Sequence, residues 1–96
     1  DYRESPSLKI IEQFLRLNYQ VSYHDDYIKS LHIEFKNKKI KFNSIKISKK
    51  NLKKFDLCVI LTNHSYINWN LIKNYSNKIF DTRNVFEPKK NKIFLL

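Results

Sequence analysis

Ninety-six residues, 42% hydrophobic and 15% aromatic, carry enough apolar surface to offset chain entropy, but only for one modest core, so a single domain over residues 1–96 is expected. Nineteen lysines and arginines against nine acids leave a net charge of +10, which favours anionic partners such as nucleotides, nucleic acid or an acidic membrane surface. One cysteine excludes an internal disulfide and a structural zinc cluster, and the complete absence of glycine excludes both the GxGxxG dinucleotide fingerprint and the phosphate-binding P-loop.

Ser5 followed by Pro6 reads as a helix start, with serine as cap and proline at the first helical position, where its missing N–H costs nothing. Leu8, Ile11 and Leu15 then recur at helical spacing beside Ile10, Phe14 and Leu17, and Asn18 ends the helix in the left-handed position that glycine usually fills. Residues 20–24 read as a short strand through Val21 and Tyr23, stopped by Asp25 and Asp26. Apolar and basic residues alternate over 33–47, which predicts a hairpin or ragged strands turning near Asn37 and Lys38.

Ser48 is placed to cap a short helix running to Phe55. Residues 57–62 (LCVILT) form the strongest strand signal, apolar enough for burial on both faces and expected at the centre of a parallel sheet. Residues 68–75 look helical, 78–81 form another strand, and 92–96 a last one after the loop holding Pro88. Strands alternating with helices imply an α/β layered fold with a mostly parallel sheet. The longest apolar run, 57–61, is far below the roughly 20 residues of a membrane span, and the acidic start is unlike a signal peptide, so the expected location is cytoplasmic without membrane contact.

Between Lys36 and Lys54 stand nine lysines and no acid, but Ile40, Phe42, Ile45 and Ile47 are threaded among them, as in a half-buried strand with one solvated face. Sixteen of the nineteen cations are lysine, and eleven asparagines accompany twelve isoleucines, a bias that an AT-rich genome produces without functional selection. His24, His32 and His64 lack metal-ligand spacing, so no metal site is expected.

Four segments, DYRESP (1–6), YHDDY (23–27), LTNHS (61–65) and FDTRNVF (80–86), resemble in order and spacing the C-terminal UDP-binding domain of the UDP-glucose/GDP-mannose dehydrogenase family. The resemblance covers nearly the whole chain and is thinnest over 32–48. It implies a Rossmann-like three-layer α/β domain with a mostly parallel sheet whose first strand is missing from this chain, residues 1–96 being the C-terminal nucleotide-sugar-binding part of a longer enzyme. Enzymes of the family oxidise the C6 alcohol of a nucleotide sugar to a carboxylate with two NAD and a cysteine carried in the middle of the parent chain, in polysaccharide biosynthesis. The resemblance therefore implies a fragment that is not catalytic alone. Its partners would be a UDP-sugar and the rest of the dehydrogenase chain, in a homo-oligomer, with NAD bound mainly by the absent N-terminal domain and no specific nucleic acid. DTRN at 81–84 and the pair Asn68 and Trp69 look most like the UDP-N-acetylhexosamine 6-dehydrogenases.

Arg83 matches the family's substrate-contacting arginine, and a planar, always charged fork suits phosphate and ribose oxygens better than lysine does. The alternative is a salt bridge to Asp81 or another acid. Arg3 matches a position that reaches across the cleft toward NAD, against local pairing with Glu4 or Asp1; Asp1 and Tyr2 border the substrate in the family and are lesser candidates. Ser5 reads as a cap, His64 as a loop-organising residue before a chemical one, Asp25 and Asp26 as strand-end residues, and Trp69 and Tyr75 as packing. Cys58 lies where the family carries a hydrophobic residue and reads as a small core side chain without catalysis. Two other classes stay open: a basic nucleic-acid-binding module and a non-catalytic assembly subunit.

Overall fold

The computed structural model describes residues 6–96, in two compact units, residues 6–46 and 47–96. Asp1, Tyr2, Arg3 and the expected cap Ser5 lie outside the described residues.

In the first unit, helix α1 spans Pro6–Arg16 and buries Ile11. It stops as expected at Asn18, whose φ of 65° is left-handed. The Asn18 N–H donates to Leu15 O at 3.0 Å and the Tyr19 N–H to Phe14 O at 3.1 Å, the paired bonds of a Schellman cap. The Phe14 and Tyr19 rings meet edge to face at 5.9 Å, supplying the hydrophobic contact that accompanies such a cap.

Strands β1 (Ser30–Phe35) and β2 (Lys38–Asn43) form an antiparallel hairpin in which Phe35 faces Lys38. The two loop residues, Lys36 and Asn37, have φ of 51° and 63°, as a type I′ turn requires. Leu31 and Ile33 alternate inward beside Ile11 to form this unit's core, joined by Leu8, Leu15, Val21 and Phe42. On the opposite face of the hairpin Glu34 stands across from Lys39 and His32 across from Lys41.

The strand expected over 20–24 is reduced to an isolated bridge between Tyr23 and Ser44. Side chains divert the backbone there. Asp25 Oδ1 accepts the N–H groups of Tyr27 at 2.8 Å and Ile28 at 3.0 Å, folding a turn, while Ser44 Oγ accepts from Asp25 N at 2.9 Å and donates to Asp25 O at 3.0 Å. His24 contributes a 2.7 Å bond from Nδ1 to Ile45 O and a 3.2 Å contact from Nε2 to Asp26.

The second unit starts at α2 (Lys49–Lys54), capped by Ser48, whose hydroxyl accepts from Asn51 N at 3.1 Å. It continues with β3 (Cys58–Ile60), α3 (Trp69–Tyr75), β4 (Ile79–Asp81) and β5 (Ile93–Leu95). Asn68 caps α3 by accepting from Leu71 N at 3.1 Å. The three strands form a parallel sheet in the order β3-β4-β5, with Val59 beside Phe80 and Phe80 beside Phe94. Among the described residues β4 is therefore the central strand, and β3, expected at the centre, pairs on one side. Ile60, Ile72, Ile79 and Ile93 make the core, with Leu52, Cys58, Trp69 and Phe86 packed against it.

The expected α/β fold with a parallel sheet is present. Asparagine does much of the work that glycine does elsewhere: of the five described residues with left-handed φ, four are Asn18, Asn37, Asn84 and Asn91.

Candidate functional site

Strand β4 ends at Asp81, which is 1% exposed, and the loop that follows leaves the carboxyl edge of the parallel strands, where ligands of open α/β sheets gather. Asp81 holds that loop through both carboxylate oxygens. Oδ1 accepts from Arg83 N at 3.0 Å and Oδ2 from Phe86 N at 2.8 Å. Thr82 ties the loop to β3, its hydroxyl donating to Ile60 O at 2.6 Å, and Asn84 turns the chain with a φ of 59°.

Arg83 is exposed, and its Nε donates to Leu61 O at 2.9 Å. Among the described residues no acid pairs with its guanidinium. Asp81 meets the backbone of Arg83 instead of its charge, so the salt bridge to Asp81 does not form. Asp81, Thr82, Arg83, Asn84 and Leu96 line an open recess of about 310 Å³, near the small end of ligand cavities. A recess of about 320 Å³ in the other unit is lined by Glu12, Arg16, Glu34, Phe35 and Lys36, where two carboxylates offset two cations and disfavour a phosphate.

The loop after β3 runs alongside. His64 stacks on Tyr66 with ring centroids 5.0 Å apart and an 11° tilt, and the His64 carbonyl accepts from Trp69 Nε1 at 3.2 Å and Ile67 N at 3.3 Å. Trp69 in turn meets the Phe86 ring edge to face at 6.0 Å. The loop after β4 is thus joined to the loop after β3 at Leu61–Arg83 and to the start of α3 at Trp69–Phe86. Tyr75 lies away from this edge contact, under the ammonium groups of Lys49 and Lys53 at 5.1 and 5.7 Å.

Cys58 packs against the core of its unit, and burial pushes its thiol above the usual value of 9.0, opposed in part by the Ser76 hydroxyl facing it. That hydroxyl is buried and makes no hydrogen bond of regular geometry. A thiol held neutral is a poor nucleophile. Asp25 Oδ1 is engaged in its own turn, and among the described residues no group of three or more His, Cys, Asp or Glu could hold a metal ion. Of the expected site residues, Arg83 stands in the recess, and Asp1, Tyr2 and Arg3 lie outside the described residues. Asp81 was foreseen only as a competitor for Arg83. Its signal in the sequence is an aspartate at a strand end with asparagine three residues on, a pattern suited to a side-chain-closed turn.

Searches of curated proteins and of solved structures return no match. The model of the UDP-glucose/GDP-mannose dehydrogenase family, UDP binding domain, matches residues 1–88, which takes in the Asp81–Arg83 loop, the loop after β3 and the hairpin unit. That family belongs to the NAD-dependent dehydrogenases. With nearly the whole chain matched and a parallel α/β sheet that carries an exposed arginine at its carboxyl edge, the chain belongs to the UDP-glucose/GDP-mannose dehydrogenase family as its UDP-binding domain.

Proposed function

We propose that this domain binds the nucleotide part of a UDP-sugar for a 6-dehydrogenase that oxidises the sugar C6 alcohol to a carboxylate with two NAD, and that Arg83 is the residue that grips it. One observation carries this assignment. The Arg83 guanidinium stands at the carboxyl edge of the sheet, fixed through Nε by Leu61 O, with no carboxylate neutralising it among the described residues. An arginine so placed can donate two parallel bonds to phosphate or ribose oxygens. Asp1 and Tyr2 would border the substrate and Arg3 would face the cofactor across the cleft of the parent enzyme, roles that rest on the family resemblance. The sugar closest in pattern is a UDP-N-acetylhexosamine, supported by DTRN and by Asn68 and Trp69.

The described residues do not fit NAD. No glycine is available to let a pyrophosphate approach the backbone, and Asp25 is drawn into a turn of its own chain, its Oδ1 accepting the N–H groups of Tyr27 and Ile28. Hydride transfer and the covalent thiol chemistry therefore belong to other parts of a parent enzyme, and residues 1–96 act as one non-catalytic binding domain of it. The test is a nuclear magnetic resonance titration of the chain with UDP, GDP and NAD in parallel. UDP should shift the amides of residues 61–64 and 81–84 saturably, with GDP weaker and NAD inert; equal responses to all three, or shifts confined to the lysine-rich hairpin, would contradict the assignment.

A further inference from the structure

Granted the nucleotide-sugar reading above, we propose that Asp81 is the positioning residue of this site. Its carboxylate sets the loop carrying Arg83 before any ligand arrives, and the ligand oxyanion is gripped end-on, by the terminal guanidinium nitrogens.

A carboxylate buried to 1% exposure is costly unless its oxygens are satisfied. Asp81 meets that demand through backbone donors, and in a way that defines the loop. Oδ1 takes the N–H of Arg83, two residues on, and Oδ2 takes the N–H of Phe86, five residues on, so one side chain fastens both ends of the segment. Asparagine is nearly isosteric but carries an acceptor on one side only. Its amide N–H₂ would face one of the two backbone donors and break that bond.

The arginine is fastened a second time from β3. Leu61 O engages Nε at 2.9 Å, which removes the side edge of the guanidinium from ligand binding and leaves the two terminal nitrogens as the fork. Thr82, bonded to Ile60 O, and Phe86, packed on Trp69, complete a loop held at successive points. A fork held in place loses less freedom on binding than one that must be ordered by its ligand. Releasing the loop weakens binding by the fraction of time that it leaves the competent arrangement.

The experiment compares UDP affinity, by calorimetry, among the unaltered chain, Asp81→Asn, Arg83→Ala and the double variant. A further chain replaces the Arg83 amide by an ester, assembled by chemical ligation at the single cysteine, Cys58; it deletes the N–H donor and keeps every side chain. Asp81→Asn and the ester should each weaken UDP about five- to twentyfold, since a bond to a charged acceptor is lost and the loop is freed. Amide exchange at Phe86 should accelerate in Asp81→Asn, and in the Arg83→Ala background Asp81→Asn should cost no further affinity. A folded Asp81→Asn chain with unaltered affinity, or a full additional loss in the Arg83→Ala background, overturns the positioning role. If Asp81→Asn fails to fold, the ester chain decides, and unaltered UDP affinity there is the overturning result. Absence of UDP binding by the unaltered chain removes the nucleotide-sugar reading and this role together, whereas loss with Arg83→Ala but not with Asp81→Asn or the ester removes only the positioning role.

Discussion

Lys36 and Asn37 close the hairpin with φ of 51° and 63° in a chain without glycine, which makes that turn a place where stability can be added. Left-handed backbone costs an ordinary side chain about 1–2 kcal/mol, and asparagine bears it better than lysine does. The Lys36 ammonium lies 5.4 Å from the Phe35 ring centroid, an exposed contact worth about 0.5–1 kcal/mol that any replacement forfeits. The double variant Lys36→Asn, Asn37→Gly, giving the Asn-Gly pair favoured in type I′ turns, should therefore gain about 1 kcal/mol net. Lys36→Ala keeps the backbone strain, loses the ring contact and should cost about 0.5 kcal/mol. Urea unfolding followed by hydrogen exchange at Ile33 and Ile40 reads both, and a gain of 1 kcal/mol corresponds to roughly 4–8 °C in melting temperature for a domain of this size. If the Asn-Gly variant is destabilised, or if Lys36→Ala is stabilised, the turn is not held in the left-handed geometry and the reasoning fails.

Ser48→Ala should remove the cap of α2 at a cost of about 1 kcal/mol, read by thermal melting, with Ser48→Asp restoring most of it. Cys58 should react slowly with disulfide reagents at pH 8, because its folded value is raised above 9.0. The linkage has a definite sign: the folded chain keeps a proton that the unfolded chain releases, so this contribution is intact below pH 9 and declines as the pH rises toward the folded value. Subtracting the pH–stability curve of Cys58→Ser, which cannot titrate there, should isolate a fall confined to the alkaline side. The lysine-rich hairpin should bind short DNA weakly and without sequence preference, fading steeply between about 50 and 200 mM salt as counterion release dictates; a salt-resistant, sequence-selective complex would favour a nucleic-acid role.

Local signals in this sequence were strong where a single side chain decides a boundary. Ser48 and Asn68 cap helices, Asn18 ends one, and the 33–47 alternation turns within a residue of the expected place. What the sequence hid depends on partners distant along the chain. The 20–24 segment was deflected by Ser44, nineteen residues from Asp25, and the position of β3 in the sheet follows from which strands pair, not from how apolar each one is. The place of Arg83 just beyond a strand end was legible, but the partners of Asp81 and Arg83 were not: they required knowing that the carboxylate turns inward to two backbone N–H groups and that Leu61 O, twenty-two residues away, reaches Nε.

The most direct test of the central claim is calorimetric titration of UDP into the unaltered chain and into its Arg83→Lys and Arg83→Ala variants. A bidentate, charge-assisted grip predicts saturable binding by the unaltered chain and a loss of about 1.5–3 kcal/mol, at least roughly tenfold in affinity, in both variants, because lysine keeps the charge but not the fork. Unaltered affinity in Arg83→Lys, or no binding of UDP by the unaltered chain, would contradict it.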